Sequence, residues 1–255
     1  MDRETHRRLR RGRPRVVSRP AWLAACLLST GVLAQESQTT LHSATLLDLF
    51  PFEEAAKLSS TLPVKRHVFF HVRAPAGRDA SGVLVYVSPG NSGELPEQWR
   101  PVLDEKRLTW IAADDFGNSR PTAERVLAAV MALRLARKLH ATDENRLYIA
   151  GMSGGGRVAS VAIAQFPQLF NGAIFMVGAN FDAPKEARLR ELFTTRRLVF
   201  VTGSRDFNRR ELRAVRDRYQ EHGITRILWI DEPGFGHEPA NGPQLVQAID
   251  FLDGR

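Results

Sequence analysis

Short apolar runs rich in strand-forming residues alternate with helically periodic segments along the chain from residue 66 onward. The runs at 82–88 (GVLVYVS), 147–150 (LYIA), 172–178 (GAIFMVG) and 197–203 (RLVFVTG) predict buried strands, being almost wholly apolar, and 108–113 (LTWIAA) and 224–230 (ITRILWI) predict further strands, the latter the last. Residues 66–73 (RHVFFHVR) alternate instead and predict an early antiparallel strand with His67 and His71 on one face. Between these runs lie the helices. Pro121 opens one with Val126, Val130 and Leu133 beside Leu127, Met131 and Leu135, and Arg134, Arg137 and Lys138 crowd its C-terminal half as the helix dipole favours. Others are predicted through Val158, Ala159, Ala162, Ile163 and Phe166, through the arginine-rich stretch ending at His222, and over 243–252 with Leu245, Val246, Ile249 and Leu252 on one face. The pattern predicts an α/β domain over 66–255, a mostly parallel sheet with helices on both faces. There are no repeats, and residues 35–65, polar and then weakly helical, carry no firm assignment.

The strand at 147–150 runs directly into Gly151-Met152-Ser153-Gly154-Gly155, a G-x-S-x-G sequence, and then into the helix through Val158. Strand, tight turn and helix together hold a serine in a strained conformation that lifts its hydroxyl above the sheet, and only glycines leave room beside it. The following helix N-terminus favours a developing negative charge, with Gly154 N–H the first candidate donor. A glycine-rich helix entry that binds phosphate, with Ser153 as a cap, is the competing reading of the same motif.

Other candidates lie just beyond predicted strands, where open parallel sheets gather functional groups. Asp206 follows the strand at 197–203, and His237 follows the last strand within Gly-Phe-Gly-His-Glu. The order Ser153, Asp206, His237 suits nucleophilic catalysis: hydroxyl to attack, imidazole to move its proton, carboxylate to fix the imidazole tautomer. Asp182 and Asp231 compete for the acid role. The turn-rich loop Pro89-Gly90-Asn91-Ser92-Gly93 offers Gly90 or Asn91 N–H as a second oxyanion donor, or is a plain surface turn. Asn118, on the loop after 108–113, is either a substrate contact or a turn residue. Asp114 and Asp115 read as a solvated, turn-forming pair rather than metal ligands, and His67 with His71 as structural, since no further metal-ligand cluster accompanies them.

Charge and cysteine content change the picture only at the N-terminus. The formal net charge is +8, but eight arginines against Asp2 and Glu4 place +6 of it in residues 1–34. The basic balance therefore indicates an address and no nucleic-acid partner. An apolar run over 21–34 (AWLAACLLSTGVLA) ends in Val32-Leu33-Ala34, which predicts a signal peptide cut before Gln35 and export to the periplasm or outside the cell. The run is too short for a membrane span. Leu23-Ala24-Ala25-Cys26 is an alternative lipoprotein box; with cleavage after Ala34 the sole cysteine is lost, leaving no disulfide and no cysteine nucleophile.

Gly-Met-Ser-Gly-Gly-Gly at 151–156, Gly-Ser-Arg-Asp-Phe-Asn at 203–208 and Gly-His-Glu at 236–238 resemble the secreted esterases grouped with polyhydroxybutyrate depolymerases and feruloyl esterases in the α/β-hydrolase superfamily. That resemblance implies the α/β-hydrolase fold without a large lid, Ser153, Asp206 and His237 as the triad, and hydrolysis of small or polymeric carboxylic esters with no cofactor or metal. The chain departs from many relatives at Ser88-Pro89-Gly90-Asn91, where they carry His-Gly, and in lacking disulfides. A prolyl-oligopeptidase-type peptidase has the same triad order. A non-catalytic polymer-binding relative is the third class.

Overall fold

The computed structural model describes residues 37–77 and 79–255. The predicted signal peptide, Cys26 and the cleavage point before Gln35 lie outside the described residues. The described part opens with β1 (Thr40–Ala44), α1 (Leu46–Leu49), α2 (Phe52–Leu58), β2 (Val68–Arg73) and β3 (Ser81–Val87). A 3₁₀ turn (Glu97–Trp99), α3 (Arg100–Glu105), β4 (Leu108–Ala113), α4 (Thr122–Leu139), β5 (Thr142–Met152) and α5 (Gly154–Gln165) follow. The chain closes with β6 (Gly172–Met176), α6 (Ala187–Thr194), β7 (Arg197–Gly203), α7 (Arg209–Glu221), β8 (Ile227–Glu232) and α8 (Gly242–Asp253).

The eight strands form one sheet in the order β1-β2-β4-β3-β5-β6-β7-β8. β2 runs antiparallel to both β1 and β4, and every pairing from β4 through β8 is parallel. Alternation along each central strand divides the interior into two cores. Val83, Val85 and Val87 pack on the side of α4 and α5, while Leu84 and Tyr86 pack on the side of Trp99, Trp110 and α8. Phe70, Phe175 and Phe200 are fully buried, and burial of each such side chain stabilises the fold by about 1.5–3 kcal/mol. Buried side chains surround α4 on most of its circumference, because α1, α5 and the sheet all pack against it. α8 is bounded by a capping box between Asn241 and Gln244 and by Gly254 at φ 84°.

Several features depart from the sequence expectations. Residues 40–44, left unassigned, form an edge strand paired with β2, and α3 and α6 add short helices that their irregular patterns did not signal. The strand expected over 172–178 stops at Met176, where Val177 turns to φ 49°, and the last strand begins three residues later than its apolar run. Asp114 is no free turn residue: it accepts from Gly93 N–H at 2.6 Å and lies 2.9 Å from His71 Nε2, so β2 and the loops after β3 and β4 are tied together. Asp115, its neighbour, is exposed at φ 61°. Among the described residues no helix is long and apolar enough to cross a membrane.

Candidate active site

Ser153 sits between β5 and α5 at φ 54° and ψ −119°, a conformation that a non-glycine residue holds only at a cost of about 1–3 kcal/mol. Two contacts hold it there. Its N–H donates to Met176 O at the end of β6 at 2.8 Å, and its carbonyl accepts from Arg157 N–H at 3.1 Å. The close approach explains the neighbouring glycines: a Cβ on Gly155 would collide with Val87 O, and one on Gly154 with the Asn118 amide.

β7 and β8 bring the other two side chains to the same rim. Ser153 Oγ lies 2.9 Å from His237 Nε2, and His237 Nδ1 lies 2.9 Å from Asp206 Oδ1. An ionised carboxylate can only accept, so Nδ1 carries the proton in the neutral ring and Nε2 presents its lone pair to the Ser153 hydroxyl. The Asp206 side chain is wholly buried, whereas His237 keeps 21% of its side chain exposed. Thr202 Oγ1 donates to Asp206 Oδ2 at 2.7 Å and Asn208 N–H to Oδ1 at 3.0 Å, which satisfies the buried carboxylate and fixes its plane. Asn208 Nδ2 in turn donates to Val177 O at 2.8 Å, linking the acid loop to the end of β6.

The competing acids are occupied elsewhere. Asp231 accepts from Arg209 Nη2 at 2.8 Å and from Trp229 Nε1 at 3.3 Å, and the hydrogen-bonded arginine holds its carboxyl below the usual range. Asp182 accepts from Ala183 N–H at 2.9 Å beside Gln165. Of the oxyanion candidates, Gly154 opens α5 directly beside Ser153, while Gly90 N–H donates to Ser88 Oγ at 3.2 Å. Asn91 O accepts from Asp115 N–H at 2.7 Å, and Asn118 N–H donates to Pro89 O at 2.9 Å, so the loops after β3 and β4 are stitched together. Asn118 is exposed, with its amide against Gly154. Among the described residues no group of three or more His, Cys, Asp or Glu is gathered for a metal ion.

The sequence alone assigned no role to Thr202, Asn208, Gly178 or Arg125. A polar Thr202 inside an otherwise apolar strand was the available signal for the first. Gly178 lets the chain after β6 pass against the Ser153 backbone, a contact between segments with no local pattern to reveal it.

A model of the prolyl oligopeptidase family matches residues 122–180, from the start of α4 to just past β6, and so covers the serine turn without the acid or histidine loops. No curated protein matches the sequence. Solved structures resemble the fold at low identity. A provisionally named dipeptidyl aminopeptidase IV from Bacteroides ovatus is 12% identical with a TM-score of 0.57, over 85% of this chain and 36% of that one. A thermostable esterase is 16% identical with a TM-score of 0.59, over 85% of this chain and 62% of that one. A provisionally named dienelactone hydrolase from Klebsiella pneumoniae is 13% identical with a TM-score of 0.60, over 86% of this chain and 100% of that one. The chain thus spans less than two thirds of the first two structures. Together with the sheet order, these likenesses establish the α/β-hydrolase fold.

Proposed function

We propose that this chain is a serine hydrolase of carboxylic esters, with Ser153 as nucleophile, His237 as general base and acid, and Asp206 as the carboxylate that orients the histidine. The observation that carries the reading is the unbroken relay from Ser153 Oγ through both nitrogens of His237 to Asp206, at 2.9 Å for each step. In the first half-reaction His237 Nε2 takes the hydroxyl proton as Oγ attacks the ester carbonyl, then returns it to the departing alcohol, leaving an acyl-serine. Water, deprotonated by the same nitrogen, attacks the acyl-serine and releases the acid. The tetrahedral oxyanion of each half-reaction is held by Gly154 N–H and by Asn91 N–H, the latter preferred because Gly90 N–H is engaged by Ser88 Oγ. Asn118 borders the acyl group. These steps need only groups of this chain and water.

Esters are favoured over peptides because the chain carries no long insertion near the triad: the connections from β3, β4, β7 and β8 to the helices that follow them are short loops. The family match to prolyl oligopeptidases supports a second reading, a peptidase with the same triad. Hydrolysis of p-nitrophenyl acetate compared with that of an aminoacyl-proline anilide separates them. Turnover of the anilide alone would reassign the activity, and turnover of neither would remove it. The esterase reading extends to polyhydroxyalkanoate- or feruloyl-type substrates, for which a panel of acyl lengths and aromatic esters is the test.

Export is part of the same proposal, motivated by the arginine-rich start and the Val32-Leu33-Ala34 boundary. Mass spectrometry of exported material should find Gln35 first; a lipid-modified Cys26 would overturn that assignment.

A further inference from the structure

Arg125, in the first turn of α4, is only 5% exposed, yet no carboxylate lies within ion-pair distance of it among the described residues. Two other buried or partly buried arginines are matched to acids, Arg146 to Asp253 and Arg73 to Asp104. Arg125 instead bonds three backbone carbonyls. Nε donates to Phe116 O at 2.9 Å, Nη1 to Gly154 O at 3.3 Å and Nη2 to Ser88 O at 2.9 Å. Taking a cation out of water is costly, and burial lowers the proton affinity of this guanidinium, so its retention here calls for a compensating role.

The three acceptors supply that role by their positions. Ser88 immediately follows β3 and begins the loop that carries Gly90 and Asn91. Phe116 lies on the loop after β4 that carries Asn118. Gly154 is the residue next to Ser153, whose own N–H is the first proposed oxyanion donor. Backbone bonds already join the first two loops through Asp115 N–H to Asn91 O and Asn118 N–H to Pro89 O. Arg125 adds hydrogen bonds from both loops to the first turn of α5. A planar fork with donors spread over three nitrogens in fixed directions matches these three carbonyls, whereas the three donors of a lysine all radiate from one nitrogen and do not reproduce that spacing. The charge also remains unneutralised behind Gly154, where a medium of low dielectric strengthens its pull on a developing negative charge.

We propose that Arg125 is a positioning residue for the proposed hydrolysis, holding the loops after β3 and β4 and the first turn of α5 in the register that makes their N–H donors converge on the oxyanion. The assignment rests on reading Ser153 as the nucleophile. The experiment compares wild type, Arg125→Met and Arg125→Lys in kcat and KM for p-nitrophenyl acetate and in affinity for phenylboronic acid, whose serine adduct is tetrahedral and anionic. For Arg125→Met the expected result is a fall in kcat of about 10²-fold, the scale of losing one oxyanion donor, with boronate affinity falling in parallel. KM should stay within about threefold, because the ground-state ester does not use these donors fully. Arg125→Lys should fall between, keeping the charge and losing the three-way attachment. A folded Arg125→Met with both kcat and boronate affinity near wild type overturns the assignment. So does a loss of kcat with boronate affinity unchanged, which would place the effect away from the oxyanion. Should Arg125→Met not fold, Arg125→Lys decides alone: wild-type kcat and boronate affinity overturn it. A wild type that neither hydrolyses ester nor captures boronate at Ser153 overturns the nucleophile reading itself, whereas an active wild type with unaffected variants overturns this assignment only.

Discussion

The ring of Phe207 lies flat on the imidazole of His237, with centroids 4.0 Å apart and planes at 22°, while 76% of Phe207 remains exposed. An aromatic residue that packs so little of its surface stabilises the fold weakly, so this contact acts on the orientation of the histidine. Phe207→Ala should leave thermal stability near wild type, as for an ordinary surface substitution of about ±0.5 kcal/mol. Turnover of a small ester should fall by about tenfold, since loosening the ring displaces Nε2 from its line to Ser153. Unchanged turnover would show that Asp206 alone suffices to hold the ring.

Three acids competed for one role, and their hydrogen bonds distinguish them. Asp206→Asn should fold normally and lower kcat by about 10⁴, because an amide can donate to Nδ1 and leave the imidazole in the wrong tautomer. Asp231→Asn and Asp182→Asn should keep turnover near wild type. Parallel kinetics of the three variants check this, and a larger loss at Asp231 would reassign the acid.

A fluorophosphonate should label Ser153 with one adduct per chain, located by peptide mass spectrometry. Ser153→Ala should abolish both labelling and ester hydrolysis. Because the triad acts as a unit, Ser153→Ala combined with His237→Ala should be scarcely slower than either alone. An adduct on a different serine would remove Ser153 from the mechanism.

Asp231 gives a pH-dependent stability term of known sign. Arg209 holds its folded carboxyl below the ordinary value, partly opposed by burial, with Trp229 Nε1 adding to the lowering. A depressed folded pKa contributes stability above the unfolded value, about 3.9 for aspartate, and loses it as pH falls through the folded value. Asp231→Asn should therefore melt below wild type at neutral pH, and the gap should close in acid. Melting curves from pH 7 down to pH 3 would sink the idea if the gap widened instead.

Most of the parallel sheet was legible because its strands are apolar on both faces, and that signal needs no knowledge of partners. Ser153 was legible for a related reason: strand, elbow and helix are contiguous, so the local sequence contains the whole device. Asp206 and His237 could be named by position and order, but what separated Asp206 from Asp231 is the burial of one and the Arg209 pairing of the other, both tertiary facts. β1 escaped notice because it is an edge strand with a largely solvated face, and Thr40, Leu41 and Ser43 are all exposed. Arg125 carries no sequence signature at all. On its helix it follows Glu124 and precedes Val126 like any surface charge, and only the three carbonyls that converge on it reveal its place.

The relay spans 84 residues between serine and histidine, and its members stand at the ends of β5, β7 and β8, with β6 lying between the first two. During synthesis the ribosome therefore releases Ser153 long before its partner exists. Until β7 and β8 have been added to the sheet, His237 cannot reach the Ser153 hydroxyl. On the proposed mechanism, a nascent or stalled chain ending before His237 would be inert toward esters. If the proposed triad is correct, reactivity would arrive only with completion of the sheet, so hydrolysis of a chromogenic ester during refolding would report the last strands docking rather than the first.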